Sequence, residues 1–237
     1  MKKYILTSFI ALLLLVTGYF LFRSRNSSEI AWKYIPESAS LIVTSDRLRQ
    51  PQAYATDDSI DLKELPIINI VGGNLSMFSW FNPDGAQVDA FLDNKTITCS
   101  FHPRSGNAFG LILYIPLKSE KEREWLANPQ RRDVRLLSHT FQGERIIDIN
   151  SASSQNLFSY IIKDDFLIIS QFGDLIEDVI RSSSIGLSDR SIQTKFKNTS
   201  SESGLTIYTL GDSWKPLLVQ EGQNPNLDEF LRLFPGN

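Results

Sequence analysis

The sequence predicts an α+β domain with a mostly antiparallel sheet of meander strands and short helices, preceded by one N-terminal transmembrane helix. Residues 96–101 alternate between apolar and polar types, which is typical of a β-strand. The segments Gln142-Gly143 and Lys163-Asp164-Asp165 separate apolar runs and have the chemistry of hairpin turns. Because strands follow one another without a regular helix between them, the pattern favours an antiparallel sheet over a doubly wound parallel one.

The N-terminal segment carries the strongest single signal. It runs from Tyr4 to Phe22, 19 residues without a charge, between Lys3 and Arg23. A helix of that length spans about 28 Å, close to the thickness of the hydrocarbon core of a bilayer. A cleaved signal peptide is the alternative, but its apolar run is shorter and ends in small residues. This run ends in bulky residues, so we expect an uncleaved signal anchor that contacts the lipid bilayer from Tyr4 to Phe22.

The flanking charges give only a slight preference for one orientation of this anchor. Three positive charges precede the apolar run, on the amino terminus, Lys2 and Lys3, and two follow it, on Arg23 and Arg25. A first hydrophobic segment with a short basic start usually leaves the N-terminus in the cytoplasm. We therefore expect a single-pass membrane protein with the bulk of the chain on the periplasmic or extracellular side.

The rest of the chain predicts strands and short helices. Strands are expected at residues 40–46, 96–101, 109–115, 134–141, 145–149, 157–163, 166–171 and 205–210. Helices are expected at residues 86–92, 119–126, 174–181, 214–219 and 226–233, with Ser119 and Asp174 as N-caps. Residues 75–81 suit a helix or a strand, and Gly72-Gly73 is expected to break the chain before them. Residues 182–204 are rich in Ser and Thr and predict a surface loop.

These elements divide the chain into three parts. Residues 1–25 form the predicted anchor, residues 26–203 an α+β extracytoplasmic domain, and residues 204–237 the start of a second repeat-like unit or a C-terminal extension. The repeat rests on a local similarity, because an apolar strand, an Asp and a helical segment occur together at Asp46 and again at Asp212. This pattern is also common by chance, so both interpretations stay open.

The charge balance argues against nucleic acid as a partner. The chain has 24 basic and 27 acidic residues, a net charge of −3. Affinity for nucleic acid depends mainly on basic patches that neutralise phosphates. The one basic cluster, Arg131, Arg132 and Arg135, is expected to be a solvated loop, with contact to anionic headgroups or polymers as the alternative.

Cys99 and His102 have the spacing of half a metal site. Residues three apart on a strand point to opposite faces, however, and the chain has no second Cys/His pair. We therefore expect no metal site and no cofactor. Cys99 is expected in the core beside Ile97 and Phe101, and His102 in the turn before Pro103. The residues expected to face solvent are Thr96, Thr98 and Ser100.

Four common catalytic and nucleotide-binding motifs are absent from the sequence. It has no Gly-x-Ser-x-Gly elbow, no Ser-x-x-Lys pair, no Walker A loop and no Gly-x-Gly-x-x-Gly cradle. No catalytic, cofactor-binding or metal-binding residue is predicted. Carboxylates such as Asp46 or Glu177, acting with His139, leave one enzyme alternative, a hydrolase of an envelope polymer.

An aromatic cluster lies just before the helix expected at residues 86–92. It is expected in the core, with a partner-binding patch as the alternative. Its members are Met77, Phe78, Trp80 and Phe81.

The start of the domain resembles a known family. After the anchor, residues 34–43 read Tyr-Ile-Pro-Glu-Ser-Ala-Ser-Leu-Ile-Val. This is similar to the Ile-Pro-x-x-Ala-x-hydrophobic strand that opens a family of uncharacterised membrane-anchored bacterial envelope proteins, a domain of unknown function. The order of residues 166–181, the polar loop with Phe196 and the strand at 205–210 is similar too. The resemblance thus covers most of residues 30–219.

The resemblance implies an envelope protein and brings no catalytic residues with it. Members of the family are longer, which implies that this chain is a fragment of a longer member. We expect a membrane-anchored extracytoplasmic protein that acts as a non-enzymatic binding or scaffold module, with an envelope protein as the candidate partner. The alternative is the polymer hydrolase that uses carboxylates and His139.

Overall fold

One antiparallel sheet of eight strands organises the domain. The structure is a computed structural model that describes residues 31–46, 66–105, 108–129, 131, 133–153, 155–182, 205–210 and 214. The predicted anchor at residues 1–25 lies outside these residues, as do nearly all of the predicted loop at 182–204 and of the predicted helices at 214–219 and 226–233. Within the described residues, no helix has both the length and the apolar character needed to cross a membrane.

The strands and helices have the following bounds. The strands are β1 Leu41–Ser45, β2 Ile97–Pro103, β3 Phe109–Pro116, β4 Val134–Phe141, β5 Glu144–Ser151, β6 Asn156–Lys163, β7 Phe166–Ser170 and β8 Leu205–Thr209. The helices are α1 Pro66–Leu75, α2 Gly85–Leu92, α3 Glu120–Ala127 and α4 Gly173–Ser182, with 3₁₀ turns at Trp32–Tyr34 and Ser76–Trp80.

Two meanders join to make the sheet. Strands β4 to β7 form one meander and strands β1 to β3 the other, in the order β4-β5-β6-β7-β3-β2-β1-β8. All neighbouring strands are antiparallel. The predicted α+β class with antiparallel meander strands and short helices is therefore confirmed.

Helix α1 contradicts the expected chain break at Gly72-Gly73, because both glycines lie inside it. The reason is tertiary packing. Ile67, Val71 and Leu75 recur every four residues, and all three are buried in the core. Burial of this stripe outweighs the low helix propensity of the two glycines. The segment after α1, which suited either a helix or a strand, is the 3₁₀ turn Ser76–Trp80.

The first face of the sheet packs against α1, α2 and α3 around an aromatic core. The centre of the Phe81 ring lies 5.5 Å from that of the Trp125 ring on α3. It lies 5.4 Å and 5.7 Å from the ring centres of Phe158 and Tyr160, both on β6. Such separations are typical of favourable aromatic contacts. Most of the predicted aromatic cluster is therefore core, since Phe78 and Phe81 are fully buried.

Cys99 lies in this core, as its strand pattern predicts. It is completely buried on the same face as Ile97 and Phe101. Burial raises the pKa of the Cys99 thiol well above its usual range. The thiol is therefore neutral and acts as a small apolar group.

The second face of the sheet is also covered, which contradicts the expectation that Thr98 and Ser100 face solvent. They are only 2% and 0% exposed. Helix α4 packs across β5, β6, β7 and β3 on this face. The N-terminal turn Trp32–Tyr34 packs against α4 on the same face. Polar residues of the central strands therefore lie in a closed interior and need partners there.

Two-residue turns connect the strands of both predicted hairpins. Gln142 and Gly143 have φ values of 47° and 83°, and Asp164 and Asp165 have values of 45° and 63°. Positive φ at both central residues is the type I′ arrangement, whose twist matches that of the flanking strands. The predicted hairpin turns are therefore confirmed.

Strand β8 continues the sheet beyond β1. Its pairing runs from Leu41 opposite Thr209 to Ser45 opposite Leu205. The strand at the start of the predicted C-terminal unit thus belongs to the same sheet as the strands of residues 26–203. Apart from residues 205–210 and 214, that unit lies outside the described residues, so the division of the chain at residue 204 stays a prediction.

The contact between β3 and α4 predicts the effect of a methyl group at Gly110. A Cβ there would lie 2.5 Å from Leu175 Cδ1 of α4. We expect Gly110→Ala to lower the free energy of unfolding by about 1–3 kcal/mol, because the buried Leu175 side chain must leave its packed position to admit the methyl group. Gly85→Ala is the matched control, since a Cβ at Gly85 meets no atom within 4 Å. It should be neutral or stabilising by about 0.5 kcal/mol.

Urea unfolding of both variants measures this difference. Equal effects of the two substitutions would mean that α4 does not lie against β3, and that the second face is more open than described.

Candidate functional site

Two polar clusters lie on the second face of the sheet. We call one the His102 cluster, which consists of Ser38, Ser100, His102 and Tyr114. We call the other the Asp148 cluster, which consists of His139, Asp148, Asn156 and Ser159. Each contains the residue types of a hydrolytic site, so the geometry of each decides what it can do.

The His102 cluster forms a continuous chain of hydrogen bonds. His102 Nδ1 lies 2.8 Å from Ser38 Oγ, and His102 Nε2 lies 2.7 Å from Ser100 Oγ. Ser100 Oγ lies 3.2 Å from the Tyr114 hydroxyl, which donates to the backbone oxygen of Tyr34 at 3.5 Å. This series of hydrogen bonds therefore runs from the exposed Ser38 to the backbone oxygen of Tyr34, which is buried in the N-terminal turn.

The direction of each hydrogen bond in this cluster follows from the group at its buried end, the backbone oxygen of Tyr34. A carbonyl oxygen can only accept, so the Tyr114 hydroxyl donates to it and must accept from Ser100. Ser100 in turn accepts from His102 Nε2–H. The Nδ1 atom then carries a lone pair and accepts from the Ser38 hydroxyl. His102 is thus the neutral Nε2–H tautomer.

Ser38 and His102 have the spacing of a nucleophile and a base, but the electrostatics oppose that use. Burial, with a smaller contribution from the Arg104 charge, lowers the pKa of His102 from 6.5 to about 4. In a catalytic triad a carboxylate stabilises the imidazolium that forms. Here the group behind the imidazole is the neutral hydroxyl of Ser100, so His102 is a poor base near neutral pH.

The Asp148 cluster places its carboxylate in the centre. Asp148 Oδ1 accepts from Ser159 Oγ at 2.6 Å, and Asp148 Oδ2 lies 3.0 Å from His139 Nδ1. Asn156 Nδ2 donates to Ser159 Oγ at 3.2 Å. In a triad the histidine lies between the serine and the carboxylate. The order here is serine, carboxylate, histidine, so His139 does not contact the hydroxyl that it would have to deprotonate.

Helix α4 also closes access to Ser159. This residue is fully buried, and a Cβ on Gly173 at the start of α4 would lie 3.3 Å from Ser159 Oγ. No substrate carbonyl can approach the hydroxyl in this arrangement. The Asp148 cluster therefore joins β5, β6 and the exposed His139 of β4 as a structural network.

The carboxylates considered for a hydrolase are spread over the fold. Asp46 follows β1, six strand positions from the strand of His139, which corresponds to roughly 29 Å at the usual strand spacing. Glu177 lies on α4 and accepts from Arg181 at 2.8 Å. The nearest carboxylate to His139 in the described part of the chain is thus Asp148, which sequence reasoning did not single out.

The hairpin carboxylates Asp164 and Asp165 have structural partners. Lys33 and Tyr34 both donate to Asp164, and Arg123 donates to Asp165. The hydrogen bond from Lys33 is the main reason that the pKa of Asp164 lies below its usual value, with Tyr34 acting in the same direction. These contacts hold the β6–β7 hairpin from both faces of the sheet, consistent with the interpretation of Asp164-Asp165 as a hairpin tip.

Cys99 and His102 lie on opposite faces of β2, as their spacing predicts. The prediction that His102 forms the turn before Pro103 is wrong. His102 lies inside β2 and is 1% exposed. One of the groups that contact it, the Ser38 hydroxyl, comes from a distant part of the chain. Among the described residues, no group of three or more His, Cys, Asp or Glu side chains could hold a metal ion.

In the basic cluster, Arg131 has a carboxylate partner and Arg135 has none among the described residues. Arg131 forms a bidentate contact with Asp133 and lies 4.1 Å from the centre of the Trp80 ring. Arg135 is exposed on β4. Arg132 lies outside the described residues.

The outer edge of β4 is an open polar feature at one end of the sheet in the described part of the chain. β4 pairs with β5 alone there. Phe141 and Glu144 flank the two-residue turn and form its closing pair, which exchanges both backbone hydrogen bonds. Bonded and non-bonded positions then alternate, so the backbone N–H and C=O groups of Leu136, Ser138 and Thr140 point away from the sheet. We call these groups, with the exposed side chains of β4, the β4 edge.

Comparison with known proteins identifies no relative of this chain. No family model, no curated protein and no solved structure matches it.

The low pKa of His102 predicts a specific dependence of stability on pH. Between pH 6.5 and about 4 the unfolded chain binds a proton at His102 that the folded chain does not. Stability therefore falls as pH decreases through this window, by about 3 kcal/mol in total. His102→Asn should remove this part of the pH dependence, whereas the exposed His139→Asn should not.

Urea unfolding at pH values from 7 to 3.5 tests this prediction, with each variant compared with the unchanged chain. If the unchanged chain and His102→Asn lose stability in parallel over this range, the imidazole is not buried in its neutral form.

Proposed function

We propose that this chain is a membrane-anchored extracytoplasmic envelope protein whose domain is a non-enzymatic binding module. In this proposal the segment from Tyr4 to Phe22 stays in the bilayer, and the sheet binds an envelope protein at the β4 edge. The proposal includes membership of the family of uncharacterised envelope proteins that residues 34–43 resemble.

The single observation that supports the binding function best is the exposure of the β4 edge. Leu137 is 58% exposed on this strand, and Ser138, His139 and Thr140 are exposed beside it. A long edge strand with outward backbone groups is a template for pairing with another chain, and proteins usually cover or blunt such edges. Addition of a partner strand is a common mode of peptide recognition.

Support for the anchor comes from the sequence. The run of 19 uncharged residues has the length of a transmembrane helix and ends in bulky residues that suit retention better than cleavage. The described domain follows it after a short polar stretch. A binding surface on such a domain would face partners in the same envelope.

The competing function is the envelope-polymer hydrolase. The contact of His139 with Asp148 at 3.0 Å is the one observation in its favour. The arrangement of the cluster counts against it, because Ser159 donates to the carboxylate and is buried. In the proposed function His139 is a surface residue of the β4 edge.

Photo-crosslinking in intact envelopes tests the proposal. A photoreactive residue replaces Leu137 in the full chain, and a matched control carries it at Lys121, which is exposed on α3. After irradiation the cells are fractionated and treated with external protease. We expect the chain in the membrane fraction, the domain accessible to protease, and an adduct of defined mass at position 137 only.

A second substitution checks that the partner pairs with the strand. Ser138→Pro removes an outward N–H and leaves the bonds between β4 and β5 in place, so it should abolish the adduct, whereas Ser138→Ala should keep it. A soluble chain that begins after Phe22, or a domain protected in intact cells, would contradict the anchor. The same adduct at both crosslinking positions would contradict the binding surface.

A further inference from the structure

We propose that the β4 edge binds an extended acidic segment of another protein, which adds to the sheet as a strand beside β4. This inference rests on the proposed function and specifies the partner's chemistry. The segment is expected to carry two carboxylates, one on each face of the sheet, with apolar residues between them.

The backbone of β4 supplies the affinity that does not depend on sequence. The outward groups of Leu136, Ser138 and Thr140 alternate with residues bonded to β5. An extended segment can bond to all three in either strand direction. Because any chain has these backbone groups, selectivity must come from the side chains around the edge.

The charges near the edge are basic. Arg135 is exposed on β4, and Arg145 is exposed on β5 directly opposite Thr140. Neither guanidinium has a carboxylate partner in the described part of the chain. The acidic groups of the same hairpin are already engaged, since Asp148 contacts His139 and Ser159, and Glu144 accepts from Lys163 at 2.6 Å.

This pattern is unusual within the molecule. Most other described basic side chains have an acidic partner: Lys33, Lys95, Arg104, Arg123, Arg131, Lys163 and Arg181. The described lysines without one are Lys118 and Lys121, which lie before and on α3 and not on the β4–β5 hairpin. The open strand edge and two unpaired arginines thus occur together on one hairpin.

The positions of the two arginines define the spacing of the partner's carboxylates. Side chains alternate between faces along a strand, so Arg135 lies on the second face, with Leu137 and His139. Arg145 lies on the first face, beside Thr140, and its long side chain can extend over that short residue towards the edge. Residues opposite Arg135 and Thr140 are five positions apart in an extended segment and lie on opposite faces. Apolar residues between them would contact Leu136 and Leu137.

A second copy of this chain fits the edge less well. Strand β4 contains no acidic residue. If two copies paired through β4, in any register, the strand of each copy would offer no carboxylate to Arg135 or Arg145 of the other. The charge on the edge therefore favours a different protein as the partner.

Two synthetic peptides test the inference against the full chain in nanodiscs of zwitterionic lipid. The acidic probe is Thr-Glu-Thr-Ser-Val-Val-Glu-Thr, and the basic probe has Lys at both Glu positions. We expect the acidic probe to bind about tenfold more tightly, which corresponds to about 1.4 kcal/mol from two exposed ion pairs. The preference should disappear in 1 M salt. Fluorescence anisotropy measures binding, and hydrogen exchange should show new protection at Leu136, Ser138 and Thr140.

Charge reversal with a matched control locates the effect. Arg135→Glu and Arg145→Glu should each reduce the preference, and together they should make the basic probe the tighter one. Lys121→Glu changes the net charge by the same amount away from the edge and should leave the preference unchanged.

Three results would overturn the inference. They are equal binding or no binding of the two probes, protection outside β4, and protection of β4 that grows with protein concentration without peptide, which would identify a second copy as the occupant. Equal binding of the probes together with the adduct at position 137 would leave the binding surface in place and reject only its preference for acidic partners.

Discussion

Burial of the sheet on both faces is the constraint on which the rest of the structure depends. Helices α1 to α3 cover one face, and α4 with the N-terminal turn covers the other. Polar residues of the central strands must then find partners inside the protein, because an unpaired buried polar group costs about 1–3 kcal/mol. In the part of the chain that the structure describes, no buried side-chain nitrogen or oxygen lacks a hydrogen bond.

This constraint explains why the two clusters that resemble catalytic sites are better suited to structure. The bonds of Ser100 and Tyr114 fix His102 as a neutral donor at Nε2, and burial keeps its pKa near 4. The two carboxylate oxygens of Asp148 contact Ser159 and His139. Interior groups that satisfy one another in this way stabilise a single arrangement of strands. Backbone groups without a strand partner are then expected at the two ends of the sheet, and at one end β4 pairs with β5 alone in the described part of the chain.

The sequence predicted the strands well because their signals are local. The alternation at 96–101 and the turn residues Gln142-Gly143 define strands and hairpins within a few positions. The burial of Thr98 and Ser100 could not be predicted, because the alternation along one strand does not show whether a distant segment covers its polar face. The His102 cluster joins Ser38 to a residue 64 positions away, and no local pattern encodes such a contact. The alternating polar residues of β2 were its only signal.

Amide hydrogen exchange along β4 tests the central claim most directly, because covered faces leave the strand edge as the open polar surface. We expect the amides of Leu136, Ser138 and Thr140 to exchange almost as fast as in an unfolded chain. The amides of Leu137 and His139 between them should be protected by their bonds to β5. Uniform protection along the strand would contradict the account, because it would show that the outer edge of β4 already has a partner.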